Sequence, residues 1–559
     1  MSQTRKWWKE AVVYQIYPRS FKDANGDGIG DLQGIISQLD YLKALGIDVI
    51  WLSPFYQSPN ADNGYDISDY RAIMSDFGTM ADFEELLYQV HQRGLKMVVD
   101  LVVNHSSDEH FWFREALKGK DNPYRDYYIW RPARRGGRLP NDWLSFFSGS
   151  AWELDEASNE YYLHLFAKKQ PDLNWENPQL RAEIHEIMRF WLDKGVDGFR
   201  MDVVAFFSKN QKFPKYPKDH FGDFSEYANG PRIHEFLQEM NQEVLSKYNI
   251  MTVGEAFGVG VEQALDYVSE HRNELQMIFH FDHAVPRTEQ HFINPAPELK
   301  LTELKAIFRK WDTALSNDGW NSIYWGNHDS PRVLSRFGNT SKYEQESAKM
   351  LATILLTLRG TVYIYQGDEI GMSNCYFGNI DEFDDIQVKN AYQIQVLEKG
   401  ENAQKFIRVS NKIARDHART PMQWSAQLHA GFSESKSTWL KVNPNYQRIN
   451  VQAQQNDPNS IWHYYRALIQ LRKQHLGLVY GTYRDLRPNC NKIYAYKRLW
   501  EHRQYLILNN WTNQEQTFSV KYKGSQLILL LSNYNNTAIY ESKEFTLKPY
   551  ESRIYEVEV

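Results

Sequence analysis

Eight short apolar runs, rich in β-branched and aromatic residues, alternate along this chain with stretches of helical periodicity, and that alternation leaves few folds open. The runs are "AVVYQIYP" from Ala11, "IDVIWLSPF" from Ile47, "LKMVVDLVV" from Leu95, "VDGFRMDVV" from Val196, "IMTVGEAF" from Ile250, "LQMIFHF" from Leu275, "NSIYWGNHD" from Asn321 and "TVYIYQGDE" from Thr361. Strands that alternate with helices build a parallel sheet wrapped by those helices. Eight of them predict an α/β fold, a (β/α)8 TIM barrel, formed by residues 1–104 and 174–480. The spacing breaks after the third run. Residues 105–173 carry Gly, Pro and Trp clusters such as "RPARRGGRLPNDW" and predict an inserted subdomain. Beyond about residue 480, "IYAYKRLW", "QYLILNNW", "TFSVKYK" and "LILLLSNY" alternate and are split by turns. They predict a C-terminal antiparallel β-sandwich domain over residues 481–559.

Bulk properties narrow the function. A net charge of −6 and a pI near 6.3 leave no basic footprint, which argues against nucleic acid as a partner. Cys375 and Cys490 are the only cysteines, too few for a disulfide framework, and neither has metal-type Cys/His spacing. A reducing, cytoplasmic location follows. The first twenty residues show no signal-peptide pattern, and no run of ~18 apolar residues occurs. The expectation is therefore a soluble chain with no membrane partner, acting as a monomer. Aromatic residues make up 14% of the chain, enough both to pack a large core and to stack on sugar faces.

In a parallel barrel the chemistry collects where strands end at the C-terminal rim. Asn104 and His105 end "DLVVNH", Arg200 and Asp202 lie in "GFRMDVV", Glu255 in "VGEAF", and His328 and Asp329 in "WGNHD". Three carboxylates, two imidazoles and a guanidinium on successive strand ends are what glycosidic cleavage requires. A retaining glycosidase needs one ionised carboxylate as nucleophile and a second held protonated as acid, then base. Arg200, two residues from Asp202 on the same strand face, is expected to hold the Asp202 pKa low, making it the nucleophile. Glu255 sits among apolar neighbours that raise its pKa, making it the acid/base. Asp329 is expected to bind sugar hydroxyls and help distort the ring, with His105 and His328 donating to other hydroxyls.

The loop "DANGDGIGD" from Asp23 sets oxygens at alternate positions. An EF-hand needs a bidentate carboxylate at its twelfth position, which here is Gly34, so that reading fails. What survives is a compact cation loop. Asp23, Asn25, Asp27 and Asp31 offer side-chain oxygens and Ile29 a carbonyl, ligands suited to Ca2+ or Mg2+.

The blocks "DLVVNHSS", "GFRMDVV", "VGEAF" and "WGNHDSPR", with "QPDLNWENP" from Gln170 and "ARTPMQW" from Ala418, resemble the α-amylase superfamily (glycoside hydrolase family 13), in particular its exo-acting α-glucosidases and oligo-1,6-glucosidases. The resemblance spans essentially the whole chain in the family's order. It implies the same three-domain plan, with nucleophile and acid/base at Asp202 and Glu255. It further implies glucose binding by Asp62 and Tyr65 of "DNGYDISDY", Tyr65 as a stacking platform, and by Arg415 in preference to Arg419 of "RDHART". "DANGDGIGD" looks like the family's structural cation loop after the first strand. In these glucosidases the residue after the nucleophile faces the leaving sugar, and Val there goes with α-1,6 substrates while Ala or Thr goes with α-1,4. Val203 therefore implies an isomaltase-type enzyme acting on short isomalto-oligosaccharides, packing on a buried strand being the competing reading. The chain is also similar to sucrose isomerases, but where they carry "RLDRD" it has "FDHAVPRTEQ", retaining only Arg287. Trehalose-6-phosphate hydrolases and the non-enzymatic heavy subunits of amino-acid transporters are weaker comparisons, lacking here a phosphate-binding cluster and a membrane helix respectively.

Overall fold

Each apolar run contains one strand of a single parallel sheet: β1 (Val12–Ile16), β2 (Val49–Leu52), β3 (Lys96–Leu101), β4 (Gly198–Met201), β5 (Met251–Glu255), β6 (Met277–Phe279), β7 (Ser322–Ile323) and β8 (Thr361–Tyr365). These come from a computed structural model that describes residues 5–216, 226–286, 288, 290–522, 526–534, 539–540 and 544–558. The ladder runs β6-β5-β4-β3-β2-β1-β8-β7. A side chain bridges its two open edges: Ser322 Oγ of β7 donates to the Ile278 carbonyl of β6 at 2.7 Å. Strands buried on both faces read as continuous apolar runs, which is why the eight stretches stood out.

The helices of the outer ring obey the matching periodicity. In α1 (Met80–Gln92) the buried residues Phe83, Leu86, Leu87 and Val90 recur at three- and four-residue spacing, and Thr79 with Asp82 forms a capping box at its start. Helix α2 (Glu344–Thr357) differs, being buried at every position from Ser347 to Thr357. It packs against α3 (Ile461–Gln474) and also against strands Arg503–Asn510 and Ser552–Glu558. A helix enclosed between barrel and C-terminal sheet has no solvent face to keep polar.

Between β3 and β4 the chain forms a small antiparallel sheet of Trp130–Pro132, Glu160–Leu163 and Trp152–Asp155, with Glu160–Leu163 in the middle. The C-terminal region forms a six-stranded antiparallel sheet beside a two-stranded one, Gln516–Ser519 with Glu544–Leu547. After β8 a helical excursion, including Ile386–Tyr392 and Ala403–Ile413, packs its Phe377 and Phe406 with Phe292 of the β6–β7 connection in a separate apolar cluster. The sequence patterns did not separate that excursion from the barrel. Among the described residues no helix is long and apolar enough to cross a membrane.

Candidate active site

Strand register brings the first charges together. Asp100 of β3 and Arg200 of β4 are partners across adjacent strands. Arg200 Nη1 stands 2.6 Å from Asp100 Oδ1 and 2.7 Å from Asp202 Oδ1, and Nη2 stands 2.7 Å from Glu255 Oε2. One buried guanidinium thus serves three buried carboxyl groups. A single positive charge cannot balance three negative ones away from water, so this cluster must hold a proton. Burial pushes Glu255 up to about 8, against the pull of Arg200 and with repulsion from Asp202 and Asp329. Burial also pushes Asp202 up to about 6, with Arg200 and a hydrogen bond with Glu255 opposing it. At neutral pH Asp202 is ionised and Glu255 protonated. The expectation that Arg200 holds Asp202 at a low pKa is corrected: desolvation outweighs a guanidinium whose charge is divided among three carboxyls.

Strand β4 ends at Met201, and the next residues turn sharply. Val203 adopts φ 35° and ψ 44°, a left-handed conformation that β-branched residues rarely tolerate. Its N–H donates to Glu255 Oε2 at 3.1 Å. Val203 is therefore not a strand residue, and packing on a strand does not explain its presence. Gly254 makes the turn possible, since a Cβ there would stand 2.7 Å from the side chains of Val204 and Leu275.

Asp202, Val203 and Glu255 face a cavity of about 440 Å³, whose wall also includes Asp62, Tyr65, His105, Asp329 and Arg415. Its inner residues Asp62, Tyr65 and Arg415 are buried, whereas Leu144, Gly149 and Pro286 near the mouth are exposed. Phe146 and Phe166 from the insertion, with Phe257 and Phe281 from barrel loops, line the wall between. Arg200 and His328 stand behind this wall. His328 stacks beneath Tyr65 with ring centres 5.1 Å apart and planes 2° from parallel, its Nε2 3.4 Å from Asp329 Oδ2. Burial lowers His328 to about 3 and His105 to about 4, so both imidazoles are neutral at pH 7.

Asp329 is paired with arginines more closely than with His328. Arg419 Nη2 lies 2.6 Å away and Arg415 Nη1 3.3 Å. Arg415 lines the cavity, while Arg419 sits behind it and donates to the His328 carbonyl. Arg415 also lies 2.5 Å from Asp385 and 3.4 Å from Asp62, closing the inner end of the cavity with a charged clasp. Asp100 and Asp385 escaped the sequence reading. The first had a usable signal, an acid in the middle of "LKMVVDLVV"; the second, in "EFDDIQ", had none beyond its charge. Arg287 lies outside the described residues.

Three comparisons with known proteins follow the same outline as this geometry. The description "Alpha amylase, catalytic domain" matches residues 15–481, and "Maltogenic Amylase, C-terminal domain" matches residues 483–554. The chain belongs to the α-amylase family. This α-amylase family member is a glycoside hydrolase, 54% identical to the oligo-1,6-glucosidase of Parageobacillus thermoglucosidasius, with 99% of each chain covered. The oligo-1,6-glucosidase of Bacillus cereus is 52% identical, over 99% of this chain and all of its own. Among solved structures, an isomaltulose synthase from Protaminobacter rubrum superimposes with a TM-score of 0.96 at 45% identity, both chains fully covered.

In this α-amylase family member the loop from Asp23 to Asp31 follows β1 and is tied to its own backbone. Asp31 caps the helix Leu32–Ser37, accepting from Gly34 N at 2.6 Å, and its other oxygen accepts from Ala24 and Asn25. Asp23 accepts from Gly26, Gly28 and Ser433 Oγ, Asn25 from Asp27 N, and Asp27 from Ile29 N. Counting two lone pairs per oxygen, each of the four side chains keeps at least one unused. That donor set fits a hard dication, although no three acidic or imidazole groups already converge on one point among the described residues.

Proposed function

We propose that the protein is a retaining, exo-acting α-glucosidase that removes non-reducing-end α-1,6-linked glucose from isomaltose and short isomalto-oligosaccharides. The observation that carries the reaction type is the Asp202–Glu255 pair on one guanidinium, poised about 6 and about 8 at the wall of a cavity closed at its inner end. Asp202 attacks the anomeric carbon as Glu255 gives its proton to the leaving oxygen, forming a glucosyl ester on Asp202. Glu255, now a carboxylate, takes a proton from water, which attacks the same carbon and releases Asp202. Two inversions restore the α configuration. Asp329, held by Arg415 and Arg419, accepts from sugar hydroxyls; Tyr65, braced by His328, offers a flat face to the ring. The Arg415 clasp leaves no exit for a chain, which favours a terminal glucose.

The α-1,6 preference rests on Val203 at the cavity wall and on relatives that are oligo-1,6-glucosidases. We also assign a structural Ca2+ or Mg2+ to Asp23, Asn25, Asp27, Ile29 and Asp31, and a reducing, cytoplasmic setting, which suits two free cysteines. Incubation with isomaltose, maltose, sucrose, trehalose and trehalose 6-phosphate, with products resolved by chromatography and fresh glucose followed by NMR, tests the reading. Isomaltose is expected to be the best substrate and α-glucose the first product. β-Glucose would require water attack across a wider carboxylate gap, and conversion of sucrose to an isomeric disaccharide would move the protein to the sucrose isomerases.

A further inference from the structure

Beneath the cavity wall lies a buried lysine that the reaction above does not use. Lys209, 1% exposed, is on the segment that follows the nucleophile. Its Nζ donates to three oxygens: Asp172 Oδ2 at 3.0 Å, Asn104 Oδ1 at 3.1 Å and the Phe206 carbonyl at 2.6 Å. An ammonium is only a donor, so the Asn104 atom facing it must be the oxygen. Asp172 gives the same answer from the other side, since its Oδ2 lies 3.1 Å from Asn104 Nδ2 and can only accept there. Two charged neighbours of opposite sign therefore fix an amide whose orientation is otherwise a matter of assignment.

The consequence reaches the cavity. Asn104 Nδ2 carries two hydrogens; one goes to Asp172, and the other points to His105 Nδ1 at 3.3 Å. A nitrogen that accepts has no proton, so in the neutral imidazole the proton sits on Nε2. His105 Nε2 lies 3.1 Å from the Tyr65 carbonyl, an acceptor. It also lies 3.2 Å from Gln170 Nε2, whose own carbonyl oxygen is taken up by Ala167 N and whose amide donates to Asp62. The Nε2 hydrogen thus rests on the Tyr65 carbonyl, and the second Gln170 Nε2 hydrogen, 3.2 Å away, finds no lone pair on that nitrogen; a sugar oxygen arriving beside Asp62 would accept from Gln170 and share the His105 hydrogen with Tyr65.

We infer that Lys209 is a positioning residue that, through Asn104, places the His105 proton on Nε2 and makes that histidine a hydrogen-bond donor to a hydroxyl oxygen of the bound sugar. The donor role rests on the glucosidase reading; the proton position rests on geometry alone.

The two parts are separated by measuring the tautomer without substrate. Protein carrying 15N-histidine, with the His105 signals assigned by their loss in His105→Asn, is expected to show a protonated Nε2 and an unprotonated Nδ1. In Lys209→Met the amide loses one of its two anchors, and the His105 signals are expected to move toward the Nδ1-protonated form, with kcat/KM on isomaltose falling about tenfold, the worth of one such hydrogen bond. Should Lys209→Met fail to fold, Asn104→Ala keeps the Lys209–Asp172 pair, removes the same donor and is expected to shift the same signals. A wild-type protein with the proton on Nδ1, or variants that leave His105 unchanged, would overturn the inference. An expected tautomer in a protein inactive on isomaltose would instead overturn the substrate reading and leave the Lys209 assignment standing.

Discussion

Asp202 and Glu255 share a guanidinium and differ in what else surrounds them, and pH should reveal that difference. The nucleophile works ionised, so activity rises as pH passes upward through about 6; the acid works protonated, so activity falls as pH passes through about 8. A bell-shaped kcat/KM profile is expected, its limbs belonging to the coupled pair and not to either residue alone. Asp202→Asn should abolish nearly all turnover with the fold intact. Glu255→Gln should keep more of its glycosylation rate on activated aryl glucosides than on isomaltose and lose the alkaline limb of that step, because a good leaving group needs no proton, while turnover still falls because the water-attack step has lost its base. Val203 is the residue to alter for specificity. Val203→Ala or Val203→Thr should raise the maltose-to-isomaltose ratio of kcat/KM by about 1–3 kcal/mol of differential transition-state binding. An unchanged ratio would strip Val203 of its role.

The Asp23–Asp31 loop acts at the scale of an element, joining β1 to the helix Leu32–Ser37 through the Asp31 cap and reaching Ser433 through Asp23. None of its side chains lines the cavity. Asp27→Ala should therefore lower the melting temperature while activity at low temperature is largely kept, and a chelator should lower the wild-type melting temperature but not that of the variant, because an ion bound only by the folded state stabilises it by mass action. A melting temperature indifferent to chelator would remove the cation and leave a loop held by its own Asx-type hydrogen bonds.

For the molecule as a whole, the cavity is a joint product of barrel, insertion and post-β8 excursion: Gln387 and Asn390 of Ile386–Tyr392 donate to the carbonyls of Phe146 and Phe147 in the insertion. The C-terminal domain is joined as firmly. Arg472 of α3, on the barrel side, donates to the carbonyls of Leu356, Leu358 and Leu478, and Arg498 of Ile493–Trp500 crosses the boundary to those of Thr357 and Leu478, sharing the latter with Arg472, and also reaches Gly481. Burial lowers them to about 9 and about 10, so both stay charged at neutral pH. Arg498→Met would strand the carbonyls of Thr357, at the end of α2, and of Val479 and Gly481, each costing about 1–3 kcal/mol. A fall in stability of at least about 3 kcal/mol is expected by thermal or denaturant unfolding, and a near-neutral result would mean that the interface relaxes around the loss.

Local pattern was enough for the barrel, because each strand is a buried apolar run and each strand end carries the polar residues that a rim exposes. It was also enough to bring Asp202, Glu255, Asp329 and His105 to one rim, where they line the same cavity, since their positions depend only on where strands stop. The raised proton affinity of Glu255 was legible from its apolar neighbours, but the direction for Asp202 was out of reach. Whether Asp202 is held low or raised depends on Asp100, which arrives by register from another strand, and on burial that no local window reports. The conformation of Val203 was equally hidden, because a left-handed valine contradicts its own propensity and is held there by the hydrogen bond from its N–H to Glu255 and by the space left at Gly254. Arg415, paired with Asp385, meets Asp62 only after more than three hundred residues have folded between them. Sequence by itself determined which groups stand at the rim and which of the two carboxyls keeps a proton; tertiary structure alone decided how far the nucleophile is shifted, which groups are clasped and where the cavity ends, because those depend on desolvation and on contacts that distance along the chain does not encode.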